Sequence, residues 1–291
     1  MTKVIGSIGL ALLVLGGCAE STSTETQAAA AAPAMVEAPE ANQMAPVRYN
    51  EFVWCSNGEN ATPELVTQRN EMWAQAVTEL GMDSLMGASL TTQGWTSDSF
   101  DRLTLLMWPN KEARDAGWAA YQESGIEAKL EESFPGVETC GGDNWANVYG
   151  LDVYQPRTPS LAGPQHVGAD AYVGYSFCSF NEGKKPADLR AVVTGQFVPF
   201  LDAHEAEVGA TTYNFLAQVP SFEESEVELH NDVPPTFDFV WTDFWGNAED
   251  RVGTKNAWAA EGTAIQASFD EVLTCSERQG YSIEMTKLAS M

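Results

Sequence analysis

Few of the side chains that could perform chemistry are arranged in a catalytic or metal-binding pattern. The sequence contains three histidines that lie far apart, namely His166, His204 and His230. No two of them have the spacing of zinc ligands, and the sequence has no Cys-x-x-Cys motif. The sequence also lacks a Gly-x-Ser-x-Gly motif, a phosphate-binding glycine loop and a His-Glu-x-x-His motif. From the residues alone we assign no catalytic residue and predict no metal and no cofactor.

A tryptophan followed two positions later by an asparagine occurs twice, as Trp108 with Asn110 and as Trp245 with Asn247. The repetition makes all four residues candidates for a shared role in binding or in structure. A glutamate follows each asparagine after two residues, which is typical of a helix capped by asparagine with an acid in its first turn. Capping is therefore the favoured interpretation, and ligand binding is the alternative.

A third candidate is a group of closely spaced acids that surrounds a hairpin in the second half of the sequence. A divalent cation could bind there, but acids on an exposed strand more often form a solvated edge that resists aggregation. We favour the solvated edge and predict no metal for this group, which consists of Glu223, Glu224, Glu226 and Glu228.

The charge of the chain limits the classes of partner. Its 291 residues include 41 acids and 15 bases, for a net charge of −26, and 44% of them are hydrophobic. Nucleic acids and anionic lipid surfaces require basic patches, so both are excluded as partners. The composition predicts an acidic globular domain.

The elements that must position the candidates occur twice along the chain. Residues 52–56 align without gaps with residues 175–179, at an offset of 123. Further matches follow in the same order: 108–110 with 245–247, 118–120 with 258–260, and 138–140 with 273–275. Matches in a conserved order indicate an internal duplication.

Each repeat is predicted to contain strands and helices in the order βαββαβ. In the first repeat, a strand at 52–56 precedes a helix that Thr62 caps and Gly81 ends. Strands at 85–92 and 102–108, a helix from Asn110 and a strand at 147–154 follow. Alternation of apolar residues in this last strand is mirrored near the C-terminus by Tyr281, Ile283 and Met285.

This order is that of the ferredoxin-like unit. Two tandem copies, over residues 49–290, resemble the dimeric α/β-barrel superfamily, in which two such sheets pack face to face. The resemblance implies an α+β fold in which one chain supplies both sheets, as an intramolecular dimeric α/β-barrel.

The resemblance also suggests roles for the candidates. Cofactor-free monooxygenases of the superfamily hold aromatic substrates with tryptophan and asparagine, which would give such a role to Trp108, Asn110, Trp245 and Asn247. Relatives that bind haem use a helical histidine, which makes His204 the candidate ligand if haem is bound.

Four cysteines occupy equivalent positions in the two repeats. Cys55 and Cys178 lie near the ends of the first strands, while Cys140 and Cys275 precede the last strands. Since the first and last strands of the ferredoxin-like unit are antiparallel neighbours, we expect Cys55–Cys140 and Cys178–Cys275 disulfides.

The N-terminus is typical of an exported protein. The apolar run at residues 4–17 has the length of a signal peptide and is too short to span a bilayer. Residues 15–18, Leu-Gly-Gly-Cys, resemble the lipobox of bacterial lipoproteins, which implies removal of residues 1–17 and attachment of diacylglycerol to Cys18. Ala19 after this cysteine implies sorting to the outer membrane of the cell envelope.

Composition divides the remaining chain. Residues 18–48 are rich in Ala, Ser, Thr, Glu and Pro and are predicted to form a flexible tether. Residues 49–155 and 171–291 are the two repeats, and the Pro- and Gly-containing residues 156–170 are an interdomain linker.

These features lead to three functional hypotheses. The first is an envelope lipoprotein whose tandem barrel binds a small apolar or aromatic ligand in an aromatic cleft between the sheets, without a reaction. The second is a cofactor-free or haem-dependent monooxygenase, and the third is a structural interaction module. In each case the lipid on Cys18 provides the membrane contact, and a chain that carries both repeats is expected to be a monomer.

Overall fold

Eight long antiparallel strands close into one barrel in the computed structural model, which describes residues 44–141, 148–221, 232–234 and 236–289. Cys18, His230 and the acids Glu223, Glu224, Glu226 and Glu228 lie outside the described residues. None of the described helices has the length and hydrophobicity needed to cross a membrane.

The first repeat contains three helices and five strands. They are β1 (Arg48–Asn57), α1 (Pro63–Glu79), β2 (Met86–Thr92), β3 (Arg102–Trp108), α2 (Lys111–Ser124), α3 (Ile126–Ser133), β4 (Glu138–Cys140) and β5 (Val148–Tyr154).

The second repeat follows the same order. Its elements are β6 (Tyr172–Phe180), α4 (Pro186–Val192), α5 (Val198–Val208), β7 (Asn214–Pro220), β8 (Phe239–Trp245), α6 (Ala248–Glu261), α7 (Thr263–Val272), β9 (Leu273–Cys275) and β10 (Gln279–Lys287). A π-helical turn, Val193–Phe197, connects α4 to α5.

The two sheets join along both edges. The strand order is β5-β1-β3-β2 in the first repeat and β7-β8-β6-β10 in the second, and β5 pairs with β7 while β10 pairs with β2. The ring of eight strands is therefore closed without a free edge among them. This confirms the predicted α+β fold of an intramolecular dimeric α/β-barrel, with hydrogen-bonded edges as well as facing sheets.

Alternation along the strands separates one core inside the barrel from two cores under the helices. On β1, Phe52 and Trp54 face the interior, whereas Tyr49 and Val53 face the helices of the first repeat. On β8, Val240 faces the interior. The second repeat has a corresponding helix-covered core on the outer side of its sheet.

The predicted helix caps are present. Thr62 Oγ1 accepts a hydrogen bond from Leu65 N at 3.2 Å. Asn110 Oδ1 accepts from the backbone of residue 113, and Asn247 Oδ1 from that of residue 250, both at 2.8 Å. Both asparagine side chains thus satisfy helix N–H groups that would otherwise lack partners.

The cysteines are joined as Cys55–Cys140 and Cys178–Cys275. As expected, the first strands β1 and β6 are antiparallel neighbours of the last strands β5 and β10, which follow Cys140 and Cys275. The two cysteines themselves lie on β4 and β9, two short strands that the sequence did not predict, directly opposite Cys55 on β1 and Cys178 on β6.

Both disulfides are predicted to stabilise the protein to a similar extent, because they close loops of 85 and 97 residues. The chain-entropy model assigns each loop about 4 to 5 kcal/mol. Cys55→Ala/Cys140→Ala and Cys178→Ala/Cys275→Ala should each lower the free energy of unfolding by about 2 to 5 kcal/mol in urea titrations. Free thiols in the oxidised wild-type protein would contradict the pairing.

Candidate ligand-binding site

The structure separates most of the sequence-predicted candidates. Trp108 and Trp245 lie on the outer faces of the two sheets, under the helices of their own repeats. His204 is half-buried on α5 and does not line any of the cavities described below. Of the candidate ligand residues in the described part of the chain, Trp245 lines one of these three cavities and the others line none of the three.

The interior between the sheets does not form the expected aromatic cleft. Its aromatic end, which includes Phe52, Trp54, Tyr149 and Tyr281, is filled by edge-to-face and tilted ring packing and leaves a cavity of about 50 Å³. A larger aromatic cavity, of about 210 Å³, lies outside the barrel, between the sheet and the helices of the second repeat. We call it the repeat-2 cavity.

Aromatic rings form most of the wall of the repeat-2 cavity. Phe197, on the π-helical turn, is the centre of the group: its ring lies 5.5 Å from that of Trp258 and 5.6 Å from that of Phe269. Such edge-to-face contacts hold the rings in fixed positions. The aromatic lining residues are Phe197, Phe200, Tyr213, Trp241, Trp245, Trp258 and Phe269.

The equivalent space in the first repeat is filled by a buried carboxylate. Glu51, on β1, is completely buried and accepts hydrogen bonds from Trp108 Nε1 at 3.2 Å and Trp118 Nε1 at 2.7 Å. Arg114 completes the site, with Nε at 2.7 Å and Nη2 at 2.5 Å from Glu51 Oε1. The first repeat therefore contains a carboxylate-binding site that is occupied by its own chain.

The second repeat keeps the tryptophans and lacks the carboxylate. Tyr49 on β1 pairs with Trp108, and Tyr172 on β6 pairs with Trp245, so the two tyrosines are equivalent. Glu51 follows Tyr49 by two residues and Gly174 follows Tyr172 by two residues, which makes Gly174 the counterpart of Glu51. Trp245 Nε1, the counterpart of Trp108 Nε1, is buried and has no hydrogen-bond partner in the described structure. The Oγ1 atom of Thr254, on α6, is in the same state.

The second repeat has an acid on β8, the strand that pairs with β6, rather than on β6 itself. Asp243 on β8 is opposite Gly174, as Leu106 is opposite Glu51. Its Oδ1 accepts from the Tyr213 hydroxyl at 2.6 Å and from Trp241 Nε1 at 3.1 Å, and Arg278 Nη2 lies 2.6 Å from Oδ2. These contacts hold Asp243 on the floor of the cavity.

The phenol of Tyr213 remains a hydrogen-bond donor to Asp243. Burial, and next the Asp243 charge, raise the pKa of Tyr213 well above its usual range.

Two basic side chains of α6 lie at the mouth of the repeat-2 cavity: Lys255, an exposed lining residue, and Arg251, one helical turn before it. The Arg251 guanidinium lies 4.5 Å from the centre of the Tyr172 ring, and Lys255 Nζ lies 6.0 Å from that of Trp245. Partial desolvation, and then repulsion from Arg278 and Arg251, lower the pKa of Lys255. With Asp243 as the one acid among the described lining residues, the site has a local excess of positive charge.

Haem does not fit the donor set of this cavity. Its described lining contains no histidine, Cys275 is in a disulfide, and the Tyr213 hydroxyl is bound to Asp243. None of these side chains is free to serve as the axial ligand that haem iron requires.

A metal also does not fit the cluster of Cys55, Glu138 and Cys140 in the first repeat. The two thiols form a disulfide, and the Glu138 carboxylate binds Arg69 at 2.6 Å and Arg102 through its other oxygen. Every donor atom of the cluster is therefore already engaged.

Comparison with known proteins gave structural similarities alone: no protein-family model and no curated protein matches the sequence. A mutant chlorite dismutase from Candidatus Nitrospira defluvii in complex with cyanide has 10% identity and a TM-score of 0.47, over 84% of this chain and 93% of that chain. A "Putative monooxygenase" from Fusobacterium nucleatum has 8% identity and a TM-score of 0.46, over 85% and 98%. These similarities are too loose to transfer a site or an activity.

Sequence reasoning missed Gly174, Asp243, Thr254 and Arg278. The gapless alignment of the repeats does align Gly174 with Glu51, so the sequence shows that the second repeat lacks this carboxylate. The sequence does not show that Glu51 binds tryptophan and arginine side chains, because these partners lie 57 to 67 residues away along the chain.

Trp108 and Trp245 provide a matched test of this difference. Both indoles are buried, so Trp108→Phe and Trp245→Phe remove similar volume, but the Trp108 variant also removes a hydrogen bond to a charged group. We expect Trp108→Phe to cost about 1.5 to 3 kcal/mol more in urea unfolding than Trp245→Phe. Equal losses would show that the two indole N–H groups have equivalent environments.

Proposed function

We propose that the protein is a binding protein for a small aromatic carboxylate, which occupies the repeat-2 cavity. The observation that carries this proposal is the buried N–H of Trp245, which has no acceptor at the position where its counterpart Trp108 donates to the Glu51 carboxylate. A ligand carboxylate would replace the missing side chain, and buried polar groups without partners are costly enough to favour that replacement.

The cavity fits the rest of such a ligand. Its volume of about 210 Å³ and its aromatic wall suit one ring system, which would pack against Trp258 and Phe269. The Thr254 hydroxyl offers a second hydrogen bond, and Lys255 and Arg251 supply positive charge at the mouth. Arg278 is already paired with Asp243, so the carboxylate of the ligand would bind without displacing this ion pair.

The cellular setting that we propose is the bacterial cell envelope, where the lipid on Cys18 holds the protein at the outer membrane. The predicted tether, which follows Cys18 and ends before Arg48 on β1, would separate the barrel from the bilayer. Both disulfides agree with an exported protein. We further propose a monomer, because the barrel closes within one chain and does not need a second copy.

Benzoate and its neutral analogue benzamide test the ligand class by isothermal titration calorimetry. The wild-type protein should bind benzoate at least tenfold more tightly than benzamide. Lys255→Gln/Arg251→Gln should reduce this preference, and Trp245→Phe, which removes the indole N–H without a partner, should weaken benzoate binding.

Lys111→Gln is the control, because Lys111 lies 6.0 Å from the ring of Tyr49, the counterpart of Tyr172 in the first repeat. It should leave benzoate binding unchanged. Binding of benzoate and benzamide with equal affinity would contradict the carboxylate site, and binding of neither would favour the structural interaction module.

Lipid attachment has a separate test. Expression of the full chain in a bacterium that is fed an alkyne fatty acid should label the wild-type protein and place it in the membrane fraction. Cys18→Ser should remove the label and release the protein, with both disulfides still formed. A labelled Cys18→Ser variant, or an unlabelled wild-type protein, would contradict the lipoprotein assignment.

A further inference from the structure

A second cavity lies inside the barrel, at the end opposite to the packed aromatic rings. It has a volume of about 240 Å³ and is lined by inward-facing residues of the strands and by linker residues between Gln155 and Val167. We call it the barrel cavity. The wall of the sheet separates it from the repeat-2 cavity, since Thr242 lines the former and its neighbours Trp241 and Asp243 line the latter.

The barrel cavity contains a cation without a carboxylate partner. Arg48, at the start of β1, lines the cavity, and its Nε atom is buried without a hydrogen-bond partner. No ion pair involves Arg48 in the described part of the chain, whereas Arg69 and Arg102 share Glu138, and Arg114 binds Glu51. Burial lowers the pKa of Arg48, and the Tyr175 phenol opposes that shift.

An unpaired guanidinium at such a position is energetically unfavourable. Arg48 is half-buried, and the part of a cation that is removed from water costs free energy unless a counter-charge or hydrogen bonds replace the solvent. The protein satisfies this requirement at its buried arginines, Arg69 and Arg102, with Glu138. At Arg48 the compensating anion is therefore expected to come from outside the described chain.

The polar groups near Arg48 form an ordered chain with one acceptor left over. Asn50 Nδ2 donates to Gln218 Oε1 at 2.9 Å, and Gln218 Nε2 donates to Thr242 Oγ1 at 2.6 Å. Asn50 Oδ1 has no partner. These bonds fix the amides beside the cavity without neutralising the cation.

Apolar and flexible side chains form one part of the wall of the barrel cavity, whereas Gln155, His166 and Asn214 are further polar lining residues. Met86 on β2 pairs directly with Met107 on β3, and Met285 on β10 pairs with the nearby Ala88. All three methionines line the cavity, together with Leu105 and Ile283. Thioether side chains adapt to irregular shapes, so this wall suits an unbranched hydrocarbon chain better than a rigid ring.

We propose that the barrel cavity binds an acyl carboxylate, whose head group pairs with Arg48 and whose hydrocarbon chain packs against the methionines. The planar guanidinium can donate two parallel hydrogen bonds to a carboxylate, which supplies both charge and geometry. This site is distinct from the repeat-2 cavity in place, in cation and in ligand shape.

Octanoate and octanamide are the probes, measured by isothermal titration calorimetry with the oxidised protein. The wild-type protein should prefer octanoate at least tenfold. Arg48→Met should lose that preference through weaker octanoate binding, with octanamide binding unchanged, and Arg48→Lys should keep part of it because the charge remains.

Stability in the absence of ligand distinguishes an external anion from a partner within the chain. If Arg48 is unpaired, Arg48→Met should leave the melting temperature unchanged or raise it, since an apolar side chain of similar length replaces a half-buried charge that lacks a counter-ion. Octanoate should raise the melting temperature of the wild-type protein alone.

The proposal would be overturned if the wild-type protein did not bind octanoate, or if the wild-type protein and Arg48→Met bound octanoate with equal affinity. It would also be overturned if Arg48→Met had a lower melting temperature than the wild-type protein and neither protein bound octanoate. The last result would assign Arg48 to an acid of this chain. The two sites remain distinguishable, because Lys255→Gln/Arg251→Gln should not affect octanoate and Arg48→Met should not affect benzoate.

Discussion

The hydrogen bonds between the two repeats, from β5 to β7 and from β10 to β2, are the constraint on which the rest of the structure depends. Each ferredoxin-like sheet alone would expose two edge strands and one apolar face. Closure removes all four edges and converts the two faces into one interior core. Because one chain makes both halves, the sheet remains intact while each half is free to change its own helix-covered side.

The two helix-covered sides have used this freedom in different ways. The first repeat places Glu51 among Trp108, Trp118 and Arg114, so that every group has a charged or polar partner. The second repeat has Gly174 in place of the glutamate and leaves an indole N–H without an acceptor in a cavity. Duplication thus provides an internal reference: the filled half shows what chemistry completes the open half.

The sequence predicted the features that depend on local patterns and on repetition. Strand and helix order, the Thr62, Asn110 and Asn247 caps and the cysteine pairs all follow from spacing, turn residues or alignment of the halves. The short strands β4 and β9 were missed because three residues carry too little periodicity to be recognised. The position of the aromatic cavity was missed because alternation does not reveal on which face of a strand the aromatic side chains leave an empty volume.

Local charge explains how a protein with a net charge of −26 could bind anions. The average field of the protein repels anions, so attraction must come from cations that its own carboxylates do not neutralise. In the described chain the arginines of the first helix-covered side are paired with Glu51 and Glu138, whereas no ion pair involves Arg48, Arg251 or Lys255. Salt screens the exposed cations at the mouth of the repeat-2 cavity far more than it screens Arg48 within the barrel. The two proposed sites should therefore differ in salt dependence, with the outer site weakening first as ionic strength rises.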